Sequence, residues 1–346
     1  MGCWEVDADT LARSRFVVSA LAETTAGLFT LMAGTAAHPG ERSWLRAHLP
    51  AWRQRLARDP VDALLLAAAI RPRWTADFLV PVPAARPGNP APNNPARANP
   101  APAGGHETAF EAELARLRAT PAETVHADLR VALGGPLPAI LRQNDLAARA
   151  ADLLAWVWHE TIAPTWPRRR RVIEADIAMR SERLSQGGWA AVLDDMRPGM
   201  RWLGEGRLQI NAYDNPPRDL SGAQLLFVPV TPERGWVSWD LPHRYAVLYP
   251  CWGPLAEHGA VAVPDALGRL LGPARAGVLV LLATPMTTTQ LVALTGQGLG
   301  SVGRHLKVLL ESRLVRRQRL GRAVLYARTA LGTALADAHD LADARD

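Results

Sequence analysis

A run of basic residues near the C-terminus concentrates side chains that could contact an anionic partner. Between Arg304 and Arg328 the chain carries eight basic residues and one acid, Glu311, so the local net charge of +7 exceeds the +6 of the whole chain. The basic residues are Arg304, Lys307, Arg313, Arg316, Arg317, Arg319, Arg322 and Arg328. Cations at this density predict a surface that lies on phosphates, and the alternative is a charged face that contacts only water.

Apolar residues are interleaved with these cations at the spacing of an α-helix. In the segment SVGRHLKVLLESRL, the row with a 3.6-residue spacing consists of Val302, Leu306, Leu309, Leu310 and Arg313. The apolar members of this row are predicted to face a core, and Ser301, Arg304 and Lys307 to face outward. A helix over about 299–312 therefore presents hydroxyl and cationic side chains together.

Shorter elements must position this helix. The segment PARAGVLVLLAT predicts a helix before it, and TTTQLVALTG predicts a second helix that Gly296 ends. Thr287 and Gln290 have the spacing of a capping box, in which each side chain satisfies a backbone N–H of the first turn. The runs LVRRQ and AVLYAR predict a β-hairpin over 315–328 with Gly321 at its turn.

The stretch TTTQLVALTGQGLGSVGRHLKVLLESRLVRRQRLGRAVLYAR resembles the DNA-binding core of ArsR-type winged helix-turn-helix transcriptional regulators. The resemblance is closest in VGRHLKVLLESRLV and in GRAVLYAR, and it covers about the last 75 residues. The segment TLARSRFVVSALAET, together with the overall length, resembles actinobacterial members of that group that carry a long N-terminal domain of unassigned role.

The resemblance implies a homodimeric regulator, expected to be a repressor, that binds a palindromic operator in double-stranded DNA. The helix over 299–312 would enter the major groove, and the hairpin over 315–328 would reach the backbone or the minor groove. Within the implied set, Arg304 suits a bidentate contact with guanine and Lys307 suits a phosphate. The implied DNA-binding residues are Thr288, Thr289, Gly300, Ser301, Gly303, Arg304, His305, Lys307, Arg319 and Arg322.

Glycines depart from the family pattern where the bases would be read. Gly298 replaces the usual hydroxyl N-cap, while Gly300 and Gly303 offer no side chain to a base and each weaken a helix by about 1 kcal/mol relative to Ala. Direct base readout is therefore expected to be sparse, with specificity depending on DNA shape or on a second half-site.

Metal and cofactor chemistry is not expected. The cysteine pair of the metal-sensing relatives is absent, since Cys3 and Cys251 are the only cysteines. The motif DAHD, residues 337–340, corresponds to only half of the zinc site that some relatives have.

The expected fold class is α+β and mostly helical. Residues 1–263 are predicted to form an N-terminal domain of helices with a small antiparallel sheet, and residues 264–346 the winged helix-turn-helix. Helical patterns cover Thr10 to Met32, Trp44 to Leu56 and Val61 to Ile70, and continue from Glu107 to about Asp195. Five runs of β-forming residues between Arg201 and Pro250 predict the sheet. Residues 81–105, rich in proline, predict a disordered insertion that cannot pack.

The N-terminal domain leaves two interpretations open. Tryptophans fill a helix-on-sheet core in a domain that serves dimerisation, or several of them line a pocket for a small apolar effector. The tryptophans concerned are Trp156, Trp158, Trp189, Trp236 and Trp239. The terminal helix adds an apolar stripe suited to a partner helix, comprising Leu331, Ala334, Leu335, Ala338 and Leu341.

No catalytic residues are assigned, and the protein is not expected to be an enzyme. Known phosphate-loop, nucleophile-elbow and metalloprotease motifs are absent, and the nearest catalytic groups are the pairs His159–Glu160 and Asp194–Asp195. The start of the chain lacks a secretory signal and no apolar run spans a membrane, so a cytoplasmic protein is expected. The alternatives are an enzyme that acts on a small molecule through its N-terminal domain, with an accessory basic tail, and a non-specific architectural DNA-binding protein.

Overall fold

The computed structural model describes residues 2–36, 39–84, 105–194, 196–213, 215–251, 263–283, 285–320 and 323–337. The α-helices of these residues are α1 (Ala8–Arg13), α2 (Ala20–Ala33), α3 (Pro39–Ala57), α4 (Pro60–Ala69), α5 (Gly105–Arg118), α6 (Ala122–Leu133), α7 (Leu146–Val157), α8 (Trp166–Gly187), α9 (Ala190–Leu193), α10 (Asp265–Leu271), α11 (Pro273–Leu281), α12 (Thr288–Thr295), α13 (Leu299–Glu311) and α14 (Ala330–Asp337). Their strands are β1 (Gly2–Glu5), β2 (Arg15–Phe16), β3 (Arg201–Gly204), β4 (Arg207–Asn211), β5 (Arg218–Asp219), β6 (Gln224–Val230), β7 (Trp236–Asp240), β8 (Arg244–Pro250), β9 (Met286–Thr287), β10 (Val315–Leu320) and β11 (Ala323–Arg328). The chain is α+β and mostly helical, as the sequence predicts.

The strands form three small sheets, with orders β3-β4-β1-β5, β2-β6-β8-β7 and β10-β11-β9. The prediction of a single antiparallel sheet in the N-terminal part is wrong, because β6 pairs parallel with both β2 and β8, and β1 pairs parallel with β5. Strand β6 is buried on both faces: Leu225 and Phe227 face one apolar cluster, and Leu226 and Val228 face another. A continuous apolar run of this kind is typical of parallel strands that are covered on both sides.

The helical stripe predicted from Thr10 to Met32 is divided in the structure. Two residues, Arg15 and Phe16, leave the helical path to pair with Leu226 and Phe227. Ser19 then begins α2, because its hydroxyl accepts a hydrogen bond from the backbone N–H of Ala22 at 3.0 Å. The prediction of one continuous stripe is therefore wrong.

The proline-rich segment begins with residues that pack. Val82 is buried beside the second sheet, and the backbone N–H of Ala84 donates to the Glu113 carboxylate at 2.9 Å. The prediction that this segment cannot pack is wrong for residues 81–84, which the buried Val82 and the Glu113 carboxylate anchor. Residues 85–104 lie outside the described ranges, and Gly105 already belongs to α5.

Helix α8 joins the helical core to the C-terminal elements. Near its start, Arg169 Nη1 lies 2.6 Å from the fully buried Glu23 carboxylate, which also accepts from the backbone N–H of Thr231 at 2.8 Å. Further along, the sulfur of Met179 accepts a hydrogen bond from the Gln290 side chain on α12 at 3.5 Å. The C-terminal module, which consists of α10 to α14 and the third sheet, is therefore joined to the helical core through the contact of α12 with α8.

A separate apolar cluster holds α10 to α14 and the third sheet together. Helices α11, α12 and α13 contribute many of its fully buried members, including Val278, Leu279, Leu291, Val302 and Leu309. Within the described ranges, none of the helices combines the length and the apolar character needed to cross a bilayer.

Candidate nucleic-acid interface

Helix α12 begins and ends as the sequence predicts. The backbone N–H of Gln290 donates to the Thr287 hydroxyl at 3.2 Å, and the backbone N–H of Thr287 donates to Gln290 Oε1 at 2.6 Å, so the capping box is confirmed. Gly296 ends the helix in the left-handed region at φ 69°. Thr288 is half-buried at the first turn, while the side chain of Thr289 lies outside what the structure describes.

Helix α13 has one buried and one exposed side. Val302, Leu306 and Leu309 are buried, whereas Arg304 and Lys307 are exposed, the Lys307 side chain to 77%. This arrangement confirms the predicted division of the helix into an apolar and a cationic side. Gly300 and Gly303 are also exposed, and the described residues leave the space around Gly303 open.

Ser301 and His305 form a small polar group on the edge of α13. The Ser301 hydroxyl donates to Gln297 Oε1 at 3.1 Å and lies 3.3 Å from His305 Nε2. Burial, with the nearby charges of Arg275 and Arg304, lowers the pKa of His305 below its ordinary value. His305 therefore adds a hydrogen-bonding group to this surface at neutral pH and not a further positive charge.

The C-terminus of α13 places Arg313 outside the helix. The backbone N–H of Leu314 donates to Leu309 and that of Arg313 donates to Leu310, which is the hydrogen-bond pattern of a Schellman motif. Arg313 occupies its left-handed position at φ 56°. The predicted helical row is therefore wrong at its last member, because the chain reverses at Arg313.

The arginines of the hairpin of β10 and β11 differ in their surroundings: two are exposed, and one is hydrogen-bonded to α11. Arg316 and Arg317 are exposed. Arg328 instead donates from Nε to the Leu279 carbonyl at 2.7 Å and from Nη2 to the Val280 carbonyl at 2.5 Å. These are carbonyls of the last turn of α11, where a cation is favoured, so Arg328 stabilises the module from inside.

Two arginines predicted at the hairpin tip cannot be placed as side chains. Arg319 lies opposite Val324 in the ladder of β10 and β11, and its side chain lies outside what is described. Arg322 and the predicted turn residue Gly321 fall in a gap of the described residues. The sequence also gave no indication of β9, which pairs antiparallel with β11.

Three residues near the exposed side of α13 were not predicted from the sequence. Leu299 is 64% exposed at the first turn of α13. Arg275 lies on α11 close enough to His305 to affect its pKa. Arg171 on α8 is exposed beside the turn between α12 and α13, where a Cβ at Gly296 would lie 2.6 Å from its Nη1. The run of four arginines at 168–171 was the available signal for this extension.

The terminal helix packs partly on its own module. Leu335 is half-buried against the C-terminal cluster, and a Cβ at Gly332 would lie 2.0 Å from the Leu314 carbonyl oxygen. Leu335 therefore does not belong to an uncovered stripe. Leu331 and Ala334 are exposed, whereas Ala338 and Leu341 lie outside the described residues, as does most of DAHD.

The five tryptophans considered for a core or a pocket lie in different surroundings. Trp158 is buried and stacks on Phe110 with ring centroids 4.6 Å apart, and Trp156 and Trp189 pack against the helical and sheet clusters. Trp236 and Trp239 line a cavity beside the first two sheets.

The acid and histidine pairs make local contacts. His159 Nε2 lies 4.0 Å from Glu111 Oε1, with both side chains about half exposed. The Asp194 carboxylate accepts from the backbone N–H of Trp202 at 2.6 Å, and Asp195 is outside the described residues. Among the residues that can be placed, no group of three or more His, Cys, Asp or Glu side chains could hold a metal ion.

No protein-family model, no curated protein and no solved structure matches this chain.

Proposed function

We propose that residues 264–346 form a winged helix-turn-helix that binds double-stranded DNA, and that the protein is a sequence-specific transcriptional repressor of the cytoplasm. The observation that carries this proposal is the composition of the exposed side of α13. Arg304 and Lys307 project into solvent from a helix whose opposite side is buried, and the exposed Arg316 and Arg317 follow in the next element.

In this proposal α13 lies in the major groove. Arg304 reaches a guanine, Lys307 a phosphate, and the half-buried Ser301 a base or phosphate. Leu299 is suited to contact a thymine methyl group, which is the apolar feature of that groove. The hairpin, with Arg319 and Arg322 near its tip, follows the backbone or the minor groove.

Two further cations extend the proposed DNA-binding surface beyond the segment that resembles ArsR-type regulators. Arg171 is exposed beside the turn before α13, and the charge of the half-buried Arg275 acts on His305. Because Gly300 and Gly303 give no base contact, the larger share of affinity comes from phosphates, and binding weakens steeply with salt.

A homodimer completes the proposal. Leu331 and Ala334 are exposed on α14 and provide an apolar contact for a second copy. Two-fold symmetry would then place two copies of α13 in successive major grooves of a palindromic operator.

Selection of genomic fragments by the full chain tests the proposal against its alternatives. We expect a few fragments to be enriched, to share a palindromic sequence, and to resist competition by unrelated DNA. Retention of all fragments equally would instead identify a non-specific architectural protein. Failure to retain any duplex at low salt would refute the regulator and favour an enzyme with an accessory basic tail.

A further inference from the structure

A cavity of about 490 Å³ lies between the edges of the first two sheets. Its walls come from β1, from the edge strands β5 and β7, and from the loop that follows α4. This volume lies in the range of sites that hold small molecules.

Positive charge dominates the lining of this cavity. Arginines from four separate segments contribute to it, and among the described lining residues Asp77 is the acidic one. The arginines are Arg71, Arg73, Arg197, Arg218 and Arg234. A small apolar effector would leave these cations facing an apolar surface, which is unfavourable.

Two of these guanidinium groups are partly withdrawn from water without a counter-charge among the described residues. Arg197 Nη1 is buried and has no hydrogen-bond partner there, and burial lowers the pKa of Arg197 to about 10. Burial also lowers the pKa of Arg234, whose guanidinium lies 4.4 Å from the ring centroid of Phe29. A partly buried cation without an anion is costly, and a bound anion would remove that cost.

Aromatic rings form much of the remaining wall. Trp74 and Trp239 are in contact with ring centroids 5.5 Å apart, and Arg218 lies 4.0 Å over the ring of Trp239. Tyr213 is 46% exposed at the same cavity, with Arg73 5.9 Å from its ring centroid. Such surfaces bind flat groups by stacking, and the adjacent guanidinium groups bind carboxylate, sulfonate or phosphate oxygens.

We propose that this cavity binds a small anionic ligand with a flat aromatic part, through Arg197, Arg218 and Arg234 and the rings of Trp74 and Trp239. The site does not depend on DNA binding, so either proposal can fail without the other.

Calorimetric titration of the full chain with sodium naphthalene-2-sulfonate tests the site. We expect one bound molecule per chain. Naphthalene-2-sulfonamide has the same ring without the charge, and sodium sulfate has the charge without the ring. Each is expected to bind at least about tenfold more weakly, since the cations and the rings act together.

Arginine variants locate the binding. Arg197→Gln and Arg234→Gln should each raise the dissociation constant for the sulfonate by about tenfold or more, whereas Arg130→Gln, an exposed arginine of α6, should change it by less than about twofold. Thermal unfolding without ligand provides the control for folding. Because Arg197→Gln removes a partly buried cation whose Nη1 has no hydrogen-bond partner among the described residues, its midpoint should equal or exceed that of the wild type.

Three results would overturn the proposal: no binding of the sulfonate to the wild type, equal binding of the sulfonamide, or an Arg130→Gln effect as large as those of the cavity variants. If Arg197→Gln unfolds, the effect of Arg234→Gln on the sulfonate decides.

Discussion

Arginine has several roles in this molecule, and its surroundings decide which one applies. Arg304 extends into solvent, Arg328 donates to carbonyls at the end of a helix, and Arg169 pairs with a buried glutamate. A charge count along the sequence predicts the basic surface but includes Arg328, whose guanidinium points into the module. The role of Arg328 depends on its contact with α11, which lies about 50 residues earlier in the chain. No local sequence pattern could therefore show that Arg328 differs from the exposed arginines.

Asp77 lines the cavity and is half-buried close to a second carboxylate, that of Asp128. Burial, with the nearby Asp128 carboxylate, raises the pKa of Asp77 to about 6, although the Trp239 indole donates to it at 2.9 Å and the charge of Arg218 opposes the rise. The folded state therefore holds the Asp77 proton more tightly than the unfolded state does. Its contribution makes the folded protein less stable as pH rises from about 4 through about 6.

Replacing the Asp77 carboxylate should remove the loss of stability that it causes as pH rises. We expect Asp77→Asn to increase the free energy of unfolding by about 1 to 3 kcal/mol at pH near 7.5 and by much less at pH near 4. Urea unfolding of both proteins at the two pH values measures the difference, and subtraction cancels the shared carboxylates that do not interact with Asp77. An equal difference at both pH values would contradict the assigned environment of Asp77.

Single elements were predictable where the signal was local. The capping box of Thr287 and Gln290 and the left-handed Gly296 set the ends of α12, and α13 lies within one residue of its predicted end. The two-residue strand β2 was not predictable, because only its pairing with β6 keeps it extended. The parallel pairing of β6 and β8 was missed although their continuous apolar runs indicated it.

The reversal after α13 provides a prediction about one element. Arg313 holds a left-handed conformation that an L side chain adopts with strain and that glycine adopts freely. We expect Arg313→Gly to increase the free energy of unfolding by about 1 kcal/mol. Arg313→Ala removes the same charge but keeps a Cβ, so it is the matched control and should give no gain. Equal effects of the two substitutions in urea unfolding would show that the backbone conformation is not the cause.

At the scale of the whole molecule, tertiary structure builds surfaces that the sequence does not display. The cavity collects arginines that lie as far apart as Arg71 and Arg234, and the surface around α13 gains Arg171 from α8. Residues brought together from distant segments leave no periodicity or motif. The predicted boundary at 264 stays a prediction, and α8 and α12 pack across it.

We propose that the exposed side of α13 lies on duplex DNA. The most direct test is the affinity of the Arg304→Ala full chain for a selected duplex, compared with Arg130→Ala, which removes the same charge from an exposed position on α6. We expect Arg304→Ala to weaken binding by about tenfold or more, as loss of a bidentate base contact does, and Arg130→Ala to change it by less than about threefold. Equal affinities of the two variants would contradict the claim.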